Sequence, residues 1–299
     1  MSDQRELDFT YSLIDRVFRL SVGETADYSC AMYNGDFSMT LEDAQRRKHE
    51  YIARHLGVGQ GTSLLDLSCG WGPLLNHVRG LGAVGVGLNL SKAQVAACRR
   101  NGLDVRLMDC RQIDRGNVGG VDAVASVGGC EHFCSPEDYR AGKQEAIYGD
   151  LFRRVAELLP DQGRFYLQTM VFGRNMVSAD QVDIDAPRDS DGFYLGLMSK
   201  QFPGSWLPYG KEQLEAAAAP YFRLESAVSG RLDYIETIRQ WRKRFAEPSP
   251  RKALLKLSLL PRYLFSRDFR LAFASGISSN TVCFERELLD HFRLVFEKR

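Results

Sequence analysis

The chain has 299 residues, 44% of them hydrophobic and 26% charged, enough for a sizeable core in one large domain or one domain with a cap. A formal net charge of +1 gives no bulk electrostatic case for nucleic acid, and no apolar run approaches the roughly 18–20 residues that span a bilayer. The acidic N-terminus, unlike a signal peptide, and seven scattered cysteines indicate reduced thiols in a cytoplasmic protein rather than a disulfide framework.

Residues 9–20 repeat apolar positions (Phe9, Leu13, Ile14, Val17, Phe18, Leu20) at helical spacing, predicting a short amphipathic helix. Thr40, with Asp43 three residues on, reads as the N-cap of a helix to about His55, closed by Gly57 and Gly59. The chain then alternates. Strand 63–67 precedes helix 73–81, and strand 83–88 precedes a helix capped by Ser91 that runs to about Asn101. Strands follow at 104–108 and 121–127, then a long helix over 137–159 ended by Pro160 and Gly163, then strand 164–171. This alternation predicts an α/β fold, a doubly wound parallel sheet with helices on both faces.

Residues 173–210 break the rhythm and read as an irregular insertion, a functional lid or else a disordered segment, with Asp183, Asp185, Asp189 and Asp191 more in keeping with a solvated loop than a metal site. Beyond it come helix 211–219, strand 221–228 and a helix over 233–245. Residues 250–274 mix apolar residues with Arg251, Lys252, Lys256, Arg262, Arg267 and Arg270. They read as a helix pair with a solvated basic face, or as a contact with an anionic surface. Thr281-Val282-Cys283-Phe284 reads as a late strand, with another at 292–297.

The stretch Leu64-Leu65-Asp66-Leu67-Ser68-Cys69-Gly70-Trp71-Gly72 is a strand, a glycine turn and a helix start. That arrangement brings backbone N–H groups close to a ligand at the carboxyl end of a parallel sheet, and alone it serves an ordinary tight turn equally well. Asn89 stands where the second strand would meet a ribose, and Asp109-Cys110-Arg111 end the third strand near an adenine edge. The turn lacks the full Gly-x-Gly-x-x-Gly of a pyrophosphate cradle, which favours a nucleoside without phosphates, such as S-adenosylmethionine. Glu131 follows strand 121–127 at the same edge. Cys130, His132 and Cys134 lack a second pair of metal ligands, so no metal is expected.

Tyr28-Ser29-Cys30-Ala31, residues 64–72, Asn89-Leu90-Ser91 with Gln94, Gly129-Cys130-Glu131-His132-Phe133, Phe202-Pro203-Gly204 with Trp206-Leu207-Pro208, and Asp233-Tyr234 with Trp241 occur in that order. Together they resemble the cyclopropane-fatty-acid synthase family, including the mycolic-acid cyclopropane synthases. The resemblance implies a Rossmann-like methyltransferase sheet with N-terminal helices and an α-helical lid and C-terminal cap. It implies one methyltransferase domain over residues 1–299: an N-terminal helical segment 1–60, a cofactor-binding core 61–172, a lid 173–210 and a C-terminal part 211–299 completing the sheet and the substrate pocket. It further implies that Tyr28 and Ser29 touch S-adenosylmethionine from the N-terminal segment. Leu64, Asp66, Ser68, Gly70, Trp71 and Gly72 would wrap its methionine part, Asn89, Leu90 and Gln94 its ribose, and Cys110 and Arg111 its adenine. Cys30, Glu131, Tyr234 and the strand from Gln168 to Met170 would surround the transferred methyl group, with His132 orienting a partner or capping the next helix.

The implied reaction is attack of an alkene in a lipid or acyl chain on the sulfonium methyl, giving a cyclopropane or methyl branch, with bicarbonate taking the proton. The family's histidine on the strand after the long helix is Gln168 here. Glutamine cannot act as a base, which leaves either a bicarbonate pocket with an amide donor or Glu131 itself as the base. The family's first turn glycine is Ser68, tolerable where φ is negative, and a cysteine of the mycolic-acid enzymes is Ile277. Two other readings stay open: a C- or N-methyltransferase acting on a small isoprenoid or natural product, and a non-catalytic cofactor-binding scaffold. The basic C-terminal helices leave peripheral contact with a membrane or an acyl carrier open as well.

Overall fold

A computed structural model describes residues 22, 26–267, 269–270 and 278–299. The predicted helix over 9–20 and the position of Ile277 lie outside the described residues. Helix α1 (Leu41–Leu56) starts where expected: the Thr40 side chain accepts from the Asp43 N–H, and Gly57 ends it in the left-handed region. Strand β1 (Ser63–Asp66), helix α2 (Pro73–Gly80), strand β2 (Val84–Asn89), helix α3 (Lys92–Arg100) and strand β3 (Asp104–Leu107) follow. Strand β4 (Ala123–Val127) then leads to a 3₁₀ turn at Cys130–His132.

The long helix predicted over 137–159 is two, α4 (Pro136–Arg140) and α5 (Gln144–Leu158). Gly142, at φ 68°, turns the chain between them, and Ser135 caps the first piece, so His132 does not. Strand β5 (Arg164–Phe172) lies centrally, buried from Phe165 on. The insertion over 173–210 is less irregular than expected, because it holds helix α6 (Asp191–Gln201), capped by Ser190. Helix α7 (Gly210–Ala218), strand β6 (Phe222–Ser229), helix α8 (Arg231–Ala246) and helix α9 (Pro250–Phe265) come next. The strand predicted over 281–284 is instead helix α10 (Ser278–Glu285), whose Cys283 and Phe284 are buried, and strand β7 (Leu289–Lys298) closes the chain.

The sheet runs β3-β2-β1-β4-β5-β7-β6. Its first five strands are parallel; β7 pairs antiparallel with both β5 and β6. The doubly wound sheet is therefore mixed, with an antiparallel hairpin-like edge added to the predicted parallel part. Strand order reverses between β1 and β4, and the loops after their carboxyl ends are where a ligand sits in open α/β sheets. Among the described residues no helix is long and apolar enough to cross a membrane.

Phe152 of α5 meets Phe165, Phe222 and Phe296 from three strands at ring-centroid separations of 5.9, 6.0 and 5.1 Å. All four rings are buried, so this cluster clamps α5 onto the antiparallel half of the sheet. Replacing Phe152 by Ala should lower the unfolding free energy by about 3–5 kcal/mol, read by chemical denaturation.

Candidate active site

Two loops meet at the reversal of strand order. After β1, Asp66 accepts the Ser68 N–H at 3.1 Å. Ser68 has no positive φ, so a side chain is tolerated where the resemblance had glycine, and its Oγ both donates to the Val127 carbonyl and accepts the Val127 N–H. Gly72 stands at φ 79°, and a Cβ there would lie 2.4 Å from Leu103 Cδ1; only glycine keeps this turn tight. A Cβ on Gly129, in the loop after β4, would lie 2.8 Å from Ser68 Oγ, so the two loops touch backbone to side chain.

Asn89 braces the turn from β2. Its amide donates to the Gly70 carbonyl at 2.9 Å and to Gln94 Oε1 at 2.8 Å, while its Oδ1 accepts the Ser91 N–H. Asn89 and Gln94 are thus joined, and with both amide hydrogens committed inside the protein, Asn89 could meet a ribose only as an acceptor. Leu90 is exposed beside them. Cys110 opens a 3₁₀ turn capped by Asp109, and the Arg111 guanidinium folds back onto Asp109 at 2.6 Å. Leu64 is a correction. It points into the core with Met32, Ile52 and Leu74, because it lies two residues short of the strand's carboxyl end.

Glu131 is buried in the turn after β4. Its Oε1 accepts the Met170 N–H of β5 at 2.8 Å; its Oε2 is sealed from solvent without a hydrogen-bond partner. Burial pushes its carboxyl up to about 7, and burial does the same to Asp66. Among the described residues neither carboxylate forms an ion pair; Lys48, itself paired with Asp27, lowers Asp66 without offsetting its burial.

The register of β5 against β7 places Gln168 opposite Arg293 and Met170 opposite His291, on one face of the sheet. Gln168 accepts from the Tyr166 hydroxyl at 2.8 Å and donates to the Cys30 carbonyl at 3.1 Å. Arg293, fully buried, pairs with Asp233 at 2.9 Å, donates to the Ala31 carbonyl at 2.7 Å and approaches Cys30 Sγ at 3.5 Å. Burial pushes the Cys30 thiol up to about 12, which makes it a packing group rather than a nucleophile. Tyr234 lies edge-on to His291 and Trp241, and Tyr28 stacks on Trp241 at 4.7 Å. Burial, more than any neighbouring charge, pushes the Tyr234 phenol well above its ordinary range. Gln168 thus bonds the Cys30 carbonyl, Glu131 bonds Met170 on the same strand, and Tyr234 packs on His291 opposite Met170.

Ser29 and His132 have structural partners. The Ser29 hydroxyl donates to Asp27 at 2.6 Å within a buried group of Asp27, Gln45, Lys48 and His49. Burial would raise Asp27, but Lys48 and His49 outweigh it and hold that carboxyl well below the usual range. The His132 ring meets Ser205 Oγ at 2.7 Å, tying the Glu131 turn to the loop after α6, and Cys134 donates to the Ser135 carbonyl. Among the described residues no His, Cys, Asp or Glu cluster could hold a metal.

Sequence reasoning missed Arg293, His291, Lys48 and Gln45. The signal for Arg293 and His291 is two polar residues inside the apolar run of β7, and for Gln45 and Lys48 it is their place on the buried face of α1 with Leu41, Ala44 and Ile52.

The family model for mycolic acid cyclopropane synthetase matches residues 1–260. The chain belongs to that family. "Cyclopropane mycolic acid synthase 2" of Mycobacterium leprae (strain TN) is 28% identical over 243 residues, 77% of this chain and 76% of the relative. The solved structure of the cyclopropane synthase MmaA2 from Mycobacterium tuberculosis superposes with a TM-score of 0.75 at 26% identity, over 96% of this chain and 95% of that one. The mycolic acid cyclopropane synthase CmaA1 complexed with SAH and CTAB gives a TM-score of 0.74, with the same identity and coverage.

Folded Glu131 keeps its proton to about 7 against an ordinary value of 4.5. The stability this contributes is complete below about 4.5 and lost as pH rises toward 7, because the folded state holds the extra proton in that window. Replacing Glu131 by Gln should therefore make the protein gain on the wild type by about 2–3 kcal/mol between pH 5 and pH 8, read by denaturation at both values.

Proposed function

We propose that this member of the cyclopropane synthetase family is an S-adenosylmethionine-dependent C-methyltransferase that adds one carbon to an alkene of a lipid or acyl chain. The observation that carries the reading is Glu131, a buried carboxylate with one oxygen fixed by Met170 and the other unpartnered at the carboxyl edge of the sheet.

The residues present suit the cofactor. The Ser68–Gly72 turn is tight enough for close backbone approach, and Asp66 and Glu131 supply the uncompensated negative charge that a cationic sulfonium or ammonium would balance. Asp66 and the turn from Ser68 to Gly72 would hold the methionine part, Asn89 Oδ1 the ribose, and the Cys110–Gln112 turn the adenine. When bound, the cofactor supplies an electrophilic methyl group.

An unactivated alkene is a weak nucleophile, so alignment and exclusion of water carry much of the rate. Tyr234, Trp241 and Tyr28 present aromatic faces suited to a developing cation. Glu131 Oε2 accepts a proton from the added carbon as the ring closes; the electron pair of that C–H bond forms the last C–C bond. A carboxyl pushed up to about 7 is a stronger base than an ordinary carboxylate and still half ionised near neutrality. Gln168 gives one amide hydrogen to the Cys30 carbonyl and accepts from the Tyr166 hydroxyl, a neutral amide where the resemblance had a histidine, so no step is routed through bicarbonate. All seven cysteines are free thiols, which supports a reducing, cytoplasmic setting.

Incubation with methyl-labelled cofactor and separate pools of unsaturated lipid, isoprenoid diphosphate and amine tests the reading. Label should enter the lipid pool with loss of unsaturation, at a rate rising with pH to a plateau above about 7. Replacing Glu131 by Gln should lower turnover about 10²–10⁴-fold and flatten that profile while sparing cofactor binding. Label confined to the other pools, or no turnover despite tight cofactor binding, would contradict it.

A further inference from the structure

Helix α9 carries two leucine rows. Leu255 and Leu259 face inward, and the buried Lys252 anchors the helix start by donating to the backbone carbonyls of Arg244 and Glu247. The other row faces water: Leu254, Leu257, Leu260, Leu264 and Phe265, the last of these 89% exposed. No other described element presents such a row of large apolar side chains to solvent. Soluble surfaces carry single exposed leucines routinely; a contiguous row along about three turns marks a docking face.

The charge beside that row has one sign. Arg251, Lys256 and Arg262 are exposed along α9, Arg242 and Lys243 end α8 next to it, and no acidic residue occurs from 248 to 267. The flanking acids are Glu247, at the turn between the two helices, Asp268, next in sequence and outside the described residues, and Asp185, paired with Arg267 at 2.8 Å. Lys256 also lies 5.4 Å from the centre of the Phe245 ring, which keeps its ammonium at the helix surface.

We propose that α9 is an interfacial helix by which the protein lies on an anionic lipid surface. Its leucine row would enter the boundary between headgroups and acyl chains, with its cations among the headgroups. A lipid surface supplies both of the things this face lacks, an apolar phase and fixed negative charge. A second copy of the chain supplies only the first. Pairing α9 with itself sets two acid-free basic rows against each other. The helix does not span: 16 residues reach about 24 Å, short of a hydrocarbon core of about 30 Å, and the flanking cations hold it in the interface plane. The inference stands apart from the methyl-transfer reading, since adsorption requires no turnover.

The test is co-sedimentation of the full chain, without cofactor, with vesicles of phosphatidylcholine and with vesicles enriched in phosphatidylglycerol. Binding should favour the anionic vesicles and weaken as salt is raised. The pair Leu257→Asp and Leu264→Asp should lower partitioning by at least about tenfold. The pair Arg251→Ala and Lys256→Ala should remove most of the preference for anionic over neutral vesicles, and it provides the test should the leucine pair fail to fold. Unchanged melting temperature and unchanged binding of S-adenosylhomocysteine report folding in both. Wild-type protein left in the supernatant with both vesicle types would overturn the proposal, as would undiminished binding by a folded leucine pair. So would a solution dimer abolished by the leucine pair, or capture by an acidic carrier protein with no affinity for vesicles.

Discussion

The ion pair between Arg293 and Asp233 holds the site together. A guanidinium with no solvent contact lies on the sheet floor, and its partner sits at the start of α8. The same guanidinium takes the Ala31 carbonyl, and the other oxygen of Asp233 takes the Asn34 N–H at 3.0 Å. One pair therefore fastens the N-terminal segment, the last strand and the last helix of the pocket to one another. Breaking such a pair from one side typically costs about 3–5 kcal/mol, because an uncompensated charge stays buried. Gln168 belongs to the same frame, since its amide holds the Cys30 carbonyl from the neighbouring strand. Where the resemblance had a histidine free to titrate, this chain has a neutral strut.

Against that frame, the buried charges separate into two kinds. Asp27 is surrounded by Lys48 and His49 and sits well below the ordinary carboxylate range, as a structural charge does. Asp66 and Glu131 are equally buried and form no ion pair among the described residues, so burial pushes both up to about 7. A fold retains two such acids at one sheet edge when something else neutralises them. On the proposed reading a sulfonium cofactor would do so for both, and Glu131 Oε2 would serve as the base.

Much of this edge was legible in the chain. The glycine turn, Asn89 with Gln94, and Glu131 all follow strands whose apolar runs are short and bounded, and local chemistry decides such strands and caps; Thr40 and Ser91 cap their helices as read. The misreadings have physical causes. Thr281 to Phe284 is a four-residue β-branched and aromatic run, too short for period to separate strand from buried helix, and tertiary packing made it helical. Helical periodicity continued through Gly142, so the break between α4 and α5 left no trace in the apolar pattern. Helix α6 has no one-sided apolar face, because the lid buries Gly192, Leu195, Leu197 and Met198 together, and it passed for loop. Arg293 pairs with a residue 60 positions away, a relation that no local pattern encodes.

The account stands on the position of one carboxylate oxygen relative to the reacting methyl group. A crystal structure of the protein with S-adenosylhomocysteine tests it most directly. The cofactor sulfur should lie between the Ser68–Gly72 turn and Glu131, opening toward Glu131 Oε2 and the Tyr234 ring, with Gln168 still bonded to the Cys30 carbonyl. A sulfur placed elsewhere, or a Glu131 oxygen walled off from it by protein, would contradict the assignment of Glu131 as the base.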